Sequence, residues 1–388
     1  MGKKFLFITG TRADFGKLKP LMLKIENSRD FECYIFATGM HTLSRYGLTY
    51  DEIRKTGFKN IFTYINQDAS CNISMDIILS NTIEGISRYI HEFPPDMIVV
   101  HGDRAEALAG AIVGALNNVL VAHIEGGELS GTVDELIRHA VSKLAHLHFV
   151  SNGDAKKRLI QMGEIENSVF VIGSPDIDIM LSDSLPSLEK VKRRYEINFL
   201  KYGVFIYHPV TTEIEGLESH INTVIDALEE IEMNFVVIFP NNDMGCEIIF
   251  KAFKRIENNK KFKIFPSLRF EFFLTLLKNA YVVIGNSSAG IREAPVFGVP
   301  TINIGTRQEN RFHSPSIINV NVDEEEIINA YNNLSQLHKP SYHFGDGNSA
   351  EKFMKIIDNG SVWKTPCQKQ FQERILKSSP VVGILENK

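Results

Sequence analysis

Two short apolar runs, residues 97–100 (Met-Ile-Val-Val) and 119–122 (Val-Leu-Val-Ala), each stop abruptly at a polar cluster, His101-Gly-Asp-Arg104 and His123-Ile-Glu-Gly-Gly-Glu128. An apolar run without alternation is what a strand buried on both faces of a parallel sheet requires. The Ala- and Leu-rich stretch 106–116 between them carries an apolar helical stripe, so the segment reads strand, helix, strand. In an open α/β sheet, ligands sit beyond the carboxyl ends of the strands. Asp103, Arg104, Glu125 and Glu128 fall there, which makes this stretch the expected centre of a site.

The rest of the chain keeps the same rhythm. Lys3–Thr9 reads as a central strand and runs into Gly10-Thr-Arg-Ala-Asp-Phe-Gly-Lys17, with a helix expected to about residue 27. That turn is no nucleotide-triphosphate P-loop, because five residues separate the glycines and Leu18 stands where a magnesium-binding Ser or Thr is needed. A glycine-bracketed turn opening a helix still offers backbone N–H groups to an anion. Phe31–Ala37 is a second strand, 73–90 a helix stopped by Pro94-Pro95, and Leu147–Val150 and 169–172 are strands flanking a helix at 155–162. Residues 174–200 turn polar, with Pro175, Pro186 and a charged run at 189–194. Strands at 202–207, 234–239, Phe262–Phe265, 281–285 and Thr301–Ile304 then alternate with helical stretches and again end in polar clusters. The fold class predicted is α/β: two doubly wound Rossmann-like domains facing across a cleft. The first spans 1–174, a linker 175–200, the second 201–365, and a C-terminal helix and tail 366–388.

At 388 residues the chain suits two such domains. Lys plus Arg is 42 and Asp plus Glu is 47, a net charge of -5 with no basic block, so neither nucleic acid nor a membrane surface is an expected partner. No apolar run approaches the length of a membrane span, and the N-terminal one is too short for the core of a signal peptide. Cys33, Cys71, Cys246 and Cys367 lack CxxC spacing, so no zinc ribbon or disulfide frame is indicated and a cytoplasmic location is expected.

Three further stretches carry chemistry. Gly285-Asn-Ser287-Ser288-Ala-Gly290 follows a strand and precedes an expected helix at 291–297, a setting suited to a diphosphate, with Arg307 at a later strand end adding charge. Thr132 and Glu135 fit a capping box, which makes Glu135 structural and leaves Asp134 free to point at the cleft. Five of the twelve histidines lie between His101 and His148, but there is no HExxH, and His146 and His148 are expected to be packed rather than catalytic.

Read in order, ITGTRADFGKLKP, ATGMH, HGDR, HIEGGELSGTVDE, IRH, GSPD, HPVTTE, FPNND, GNSSAGIREAP and GTRQ closely resemble the UDP-N-acetylglucosamine 2-epimerase family, most of all its hydrolysing bacterial branch in sialic acid biosynthesis. The resemblance is strong over residues 3 to 310. It implies the two-domain fold of the B-type nucleotide-sugar glycosyltransferases, with the nucleotide held mainly by the second domain. Non-hydrolysing members carry HxEAGLRT where this chain has His123-Ile-Glu-Gly-Gly-Glu-Leu-Ser130, a departure that favours hydrolysis. By similarity Asp103, Glu125 and Asp134 take the positions of the catalytic carboxylates and His208 that of the catalytic histidine. Arg12, Asp14, Arg104, Asn241, Ser287, Ser288, Glu293 and Arg307 match substrate-contacting positions.

The chemistry so implied is loss of UDP from C1 with loss of the C2 proton, giving a 2-acetamidoglycal, and then addition of water to give free N-acetylmannosamine. Proton removal and return require carboxylates, and departing diphosphate requires cations and N–H donors. The residues do not say which carboxylate is base and which is acid. No metal or redox cofactor is expected; the partner is a small nucleotide sugar, and the protein is expected to be a homo-oligomer. Three other readings fit the same motifs: hydrolysing 2-epimerase of GDP- or UDP-N,N'-diacetylbacillosamine on the legionaminic acid route, glycosyltransferase of the same fold, and non-catalytic nucleotide-sugar sensor.

Overall fold

The computed structural model describes residues 2–68, 73–335 and 338–373. Two all-parallel sheets form the frame. The first has seven strands, β1 (Lys3–Thr9), β2 (Phe31–Ala37), β3 (Asn60–Thr63), β4 (Met97–His101), β5 (Leu120–Ile124), β6 (Leu147–Val150) and β7 (Val169–Val171), in the order β3-β2-β1-β4-β5-β6-β7. The second has six, β8 (Tyr202–Ile206), β9 (Asn234–Ile238), β10 (Phe262–Phe265), β11 (Val283–Gly285), β12 (Thr301–Ile304) and β13 (Ile317–Val320), in the order β10-β9-β8-β11-β12-β13. Strand order reverses between β1 and β4 and again between β8 and β11, and a crevice opens at such switch points beyond the strand ends.

The unbroken apolar strands exist because both faces of each sheet are covered. In β1, Phe5 and Phe7 face one helical layer with Leu18 and Leu21, while Leu6 and Ile8 face the other with Ala109 and Ile86. Each such side chain, fully buried, contributes about 1.5–3 kcal/mol. Edge strands β3 and β13 were not predicted; their half-buried sequences, Asn-Ile-Phe-Thr and Ile-Ile-Asn-Val, lack the apolar run of a central strand. Among the described residues no helix is long and apolar enough to cross a membrane.

The segment expected as a linker, 175–200, is built of helices. Pro175–Met180 buries Ile177, Ile179 and Met180 against Phe270, Leu274 and Phe344, and Leu188–Tyr195 packs Val191 under the second sheet with Tyr202 and Phe272. Helix Ser349–Asp358, placed by the sequence in the second domain, crosses back to the first. Phe353 and Ile357 join the core of Phe5 and Phe7, and the Trp363 ring stands edge-on to Phe5 at 5.4 Å. The two crossings touch: the Ser174 N–H donates to the Phe344 carbonyl (2.7 Å) and the Ser349 hydroxyl to the Ser174 carbonyl (3.0 Å). At Gly173, φ +90°, a Cβ would meet Ser349 Oγ and Gly345 Cα, so only glycine lets these segments pass.

Beyond the short 3₁₀ turn Ser361–Lys364, residues 365–373 are not the helix expected there but a strap along the first domain. Lys369 Nζ donates to the carbonyls of Ser142, Lys143 and Ala145 at the end of helix Val133–Leu144, where a cation suits both the unpaired carbonyls and the dipole. The remainder of that expected helix and tail, 374–388, lies outside the described residues. Cys33 and Cys367 are free thiols, whereas Cys246 is disulfide-bonded, a bridge that sequence spacing did not announce because pairing depends on which sulfurs the fold brings together.

Candidate active site

A cavity of about 270 Å³ lies where the carboxyl ends of the two sheets face each other. It is lined by Asp103, Glu125, Asp134 and His208, with Arg12, Asp14, Arg104, Asn241, Ser287, Ser288, Glu293 and Arg307, whereas Glu128, expected beside them, does not line it and is held instead by Ser151 and Arg292.

On the first domain the chain leaves β5 at Glu125 with φ +63°, a left-handed conformation that costs a non-glycine residue of order 1–3 kcal/mol. Two hydrogen bonds hold it there, Glu125 N–H to the Phe149 carbonyl (2.9 Å) and Arg138 Nη1 to the Glu125 carbonyl (2.8 Å). The twist turns the carboxylate inward. One oxygen accepts from the Ser174 hydroxyl and pairs with Arg292 (2.7 Å); the other lies 3.1 Å from His101 Nε2. His101 Nδ1 in turn is 2.9 Å from Asp14. Burial by itself would lower the His101 pKa, but the Glu125 charge and the hydrogen bonds to Asp14 and Glu125 outweigh it and raise it to about 9. An imidazolium thus sits between two carboxylates at neutral pH.

Asp14 also accepts the Gly10 N–H (3.0 Å), and Thr11 caps the helix that follows by accepting from the Asp14 N–H. The Gly10 donor expected to be open to an anion is therefore already occupied.

Asp103 and Asp134 are driven in opposite directions. Burial opposes ionisation of Asp103, but Arg138, Arg311, His101 and Arg307 overcome it and hold the pKa below the usual carboxylate value. Burial and the charge of Asp103 raise Asp134, against Arg307, whose Nη2 is 3.2 Å away. Two carboxyls with diverging pKa values are the arrangement by which one site holds a base and an acid together.

The cap below Asp134 is not the reciprocal box expected. Thr132 Oγ1 accepts from the Asp134 N–H (3.4 Å), but Glu135 accepts from Ser130 N–H (2.8 Å), two residues before the N-cap N–H that a box requires. Glu135 is structural all the same and does not line the cavity. Glu135→Gln should keep full turnover, and Glu135→Ala should cost about 0.5–1.5 kcal/mol in chemical denaturation at little change in kcat; a large loss of kcat in Glu135→Gln would contradict this.

On the second domain His208 follows β8. Its backbone N–H donates to Asn286 Oδ1 (2.7 Å) and its carbonyl accepts from Asn286 Nδ2 (2.9 Å). Nδ1 accepts the Asn241 N–H (3.1 Å), which leaves the proton on Nε2. Burial, with Arg307 and Arg104 nearby, pushes the pKa well below the ordinary histidine value, so His208 is a neutral N–H donor.

The Ser287–Ser288 segment opens no α-helix over 291–297. It forms two 3₁₀ turns, Ser288–Gly290 and Ala294–Phe297, because Pro295 has no N–H to donate to a continuing helix. The Ser287 hydroxyl accepts from Ala289 N–H (3.3 Å), and Arg307 Nη1 donates to the Asn286 carbonyl (3.3 Å), tying the two loops together.

Some placements were not foreseen. Glu293 pairs across the domains with Lys17 (2.8 Å), which also meets Asp176 (3.2 Å). Lys17, His101, Glu106, Asp243, Arg138 and Arg311 also line the cavity. The available signals were an Arg inside the apolar stripe of a helix, Arg138, and a second Arg four residues after Arg307. His123, His146 and His148 lie off the cavity. His123 is bonded to Ser142 Oγ (3.0 Å) and the Gly102 carbonyl (2.8 Å), and burial drives its pKa to about 3; His146 and His148 are bonded to the Cys367 carbonyl and Glu164.

The sequence profile of the family described as UDP-N-acetylglucosamine 2-epimerase matches residues 23–358. A UDP-N-acetylglucosamine 2-epimerase of Neisseria meningitidis serogroup B is 48% identical, over 95% of this chain and 98% of its own length. A hydrolysing UDP-N,N'-diacetylbacillosamine 2-epimerase of Legionella pneumophila is 33% identical, over 92% of this chain and 96% of its own. The crystal structure of the Methanocaldococcus jannaschii UDP-GlcNAc 2-epimerase in complex with UDP-GlcNAc and UDP superposes with a TM-score of 0.78 at 23% identity, over 92% of this chain and 100% of that one.

Proposed function

This chain belongs to the UDP-N-acetylglucosamine 2-epimerase family, and we propose that it is a hydrolysing member, converting UDP-N-acetylglucosamine and water into UDP and N-acetylmannosamine. The observation that carries this is the division of the cavity: Asp103, Glu125 and Asp134 on one wall, and His208, Ser287, Ser288 and Arg307 on the other.

Asp103, held ionised, takes the C2 proton as the C1–O bond to the diphosphate breaks and the C1=C2 double bond forms. Glu125, ionised and immobile, faces the positive charge that develops at C1. The departing diphosphate is stabilised by Arg307, the Nε2–H of His208 and the N–H groups of the Ser287–Ser288 turn. Water oxygen then adds to C1 while a proton returns to C2 on the other face from Asp134, whose raised pKa suits a donor. The proton lost by the water replaces the one Asp134 gives up, Asp103 releases the C2 proton to solvent and is again ionised, and one water is consumed.

Water is then the source of both new atoms. In heavy water the product should carry deuterium at C2, and in oxygen-18 water the label should appear at C1 and not in UDP. N-acetylmannosamine that keeps its original C2 hydrogen would exclude proton abstraction into solvent, and with it these carboxylate roles.

The Legionella relative supports a second reading, in which the sugar is N,N'-diacetylbacillosamine. The higher identity to the Neisseria enzyme favours N-acetylglucosamine, and parallel incubations with both nucleotide sugars decide between them. Release of free sugar with no acceptor present separates either from a glycosyltransferase or a sensor. The family resemblance supports a place in sialic acid formation, in the cytoplasm, and a homo-oligomeric state.

A further inference from the structure

Arg292 does not line the cavity, yet two buried carboxylates, Glu125 of the cavity and its neighbour Glu128, converge on it. Its side chain is 1% exposed and lies between the two 3₁₀ turns of the second domain. From there it reaches into the first domain, pairing with Glu125 (2.7 Å) and Glu128 and donating to the Ser174 hydroxyl (2.6 Å), with its guanidinium 4.6 Å from the Phe344 ring centre. The planar fork lets one cation separate two buried carboxylates that would otherwise repel, a task a lysine's point charge performs poorly.

The other groups facing Glu125 come from every element around it: His101 from β4, Lys17 from the first helix, Arg138 through the Glu125 carbonyl, Ser174 from the domain crossing, and Glu128 from its own loop. Glu128 is further held by the Ser151 hydroxyl (2.7 Å) and by Arg311 (3.5 Å). His101, Lys17 and Arg138 belong to the first domain. Arg292 is the cation that the second domain brings to the Glu125 carboxylate.

We propose that Arg292 is a positioning residue: carried on the second domain, it fixes the orientation and the charge of Glu125 only while the two domains are in contact, so that domain closure readies the carboxylate. The proposal rests on the reading that Glu125 acts in the reaction.

Three variants test it: Arg292→Lys, Arg292→Met, and Arg292→Met combined with Glu128→Gln, which removes the second uncompensated charge and so guards against misfolding. Two measurements are made on the full chain. One is the titration of the Glu125 side-chain carboxyl by carbon-13 NMR, assigned by its loss in Glu125→Gln. The other is kcat and KM for UDP-N-acetylglucosamine against pH.

In the double variant Glu125 should titrate at least about one pH unit higher than in the wild type, because a counter-charge has gone. The acid limb of kcat should move up with it, and kcat at neutral pH should fall about 100-fold with KM changed less than about threefold. Arg292→Lys should recover part of both. An unchanged Glu125 titration, with kcat lost only in proportion to unfolded protein, would leave Arg292 a packing residue and overturn the proposal. Wild-type protein that does not turn over the nucleotide sugar would overturn the proposed reaction instead, while the NMR titration still decides the Arg292–Glu125 coupling.

Discussion

Asp134→Asn should lower turnover by about 10²–10⁴-fold, the usual worth of a positioned acid or base. Its melting temperature should stay close to that of the wild type, because Asn keeps the shape and the Asp134 backbone N–H still donates to Thr132. Asp103→Asn should lose as much activity but also stability, since it leaves the buried Arg138 guanidinium without its carboxylate. The pH profile distinguishes the two roles. Asp103 is held below the ordinary carboxylate range, so activity rises with pH as it ionises; Asp134 is raised, so activity falls at higher pH as it loses its proton. Asp134→Asn should abolish that descending limb and spare the rising one. An Asp134→Asn protein with near-normal kcat would place the acid elsewhere.

Arg307→Ala should weaken UDP binding by about 1.5–3 kcal/mol, roughly 10–150-fold in Kd, the worth of charge-assisted hydrogen bonds to phosphate. Calorimetry with UDP measures this directly, and unchanged affinity would move the diphosphate away from the Ser287–Ser288 turn. Arg307 has a second function that the same variant exposes. Its guanidinium also lowers the pKa of Asp134, whose carboxylate lies 3.2 Å from Nη2. Without the guanidinium Asp134 should retain its proton to higher pH, so the descending limb of the rate profile should shift upward as affinity falls.

The parts legible in the sequence were those made by local rules. Buried parallel strands announce themselves as apolar runs, and strand ends carry the polar clusters, so the place of the cavity was legible, while the names of its lining residues came from the family resemblance and left out Lys17, Glu106, Arg138 and Arg311. What escaped depends on chain segments far apart. Nothing near Arg292 signals that it meets Glu128, 164 residues earlier. Nothing near Gly16 shows that a Cβ there would collide with the Phe270 ring of the other domain. The helix expected over 291–297 is a 3₁₀ turn at Ala294–Phe297, because Pro295 has no N–H to extend a helix, a constraint that outweighs the apolar pattern. The base and acid could not be ordered because their pKa values come from Arg138, Arg307 and burial rather than from their own neighbours in sequence.

The return of helix Ser349–Asp358 and Trp363 to the first sheet bears on how such a protein can be taken apart. Although the domains look consecutive, the half built on the second sheet is an insertion within the half built on the first, spliced in at Gly173–Ser174 and out near Phe344–Ser349. A fragment ending at residue 174 would leave Phe5 and Phe149 without Phe353 and Ile357, and should aggregate or fold poorly. Exchange between relatives that differ in nucleotide preference should therefore succeed as a cassette excised at both crossings, and fail as a simple fusion of front and back halves. Recombination in nature faces the same grammar: two breakpoints, side by side in space and about 170 residues apart in the gene.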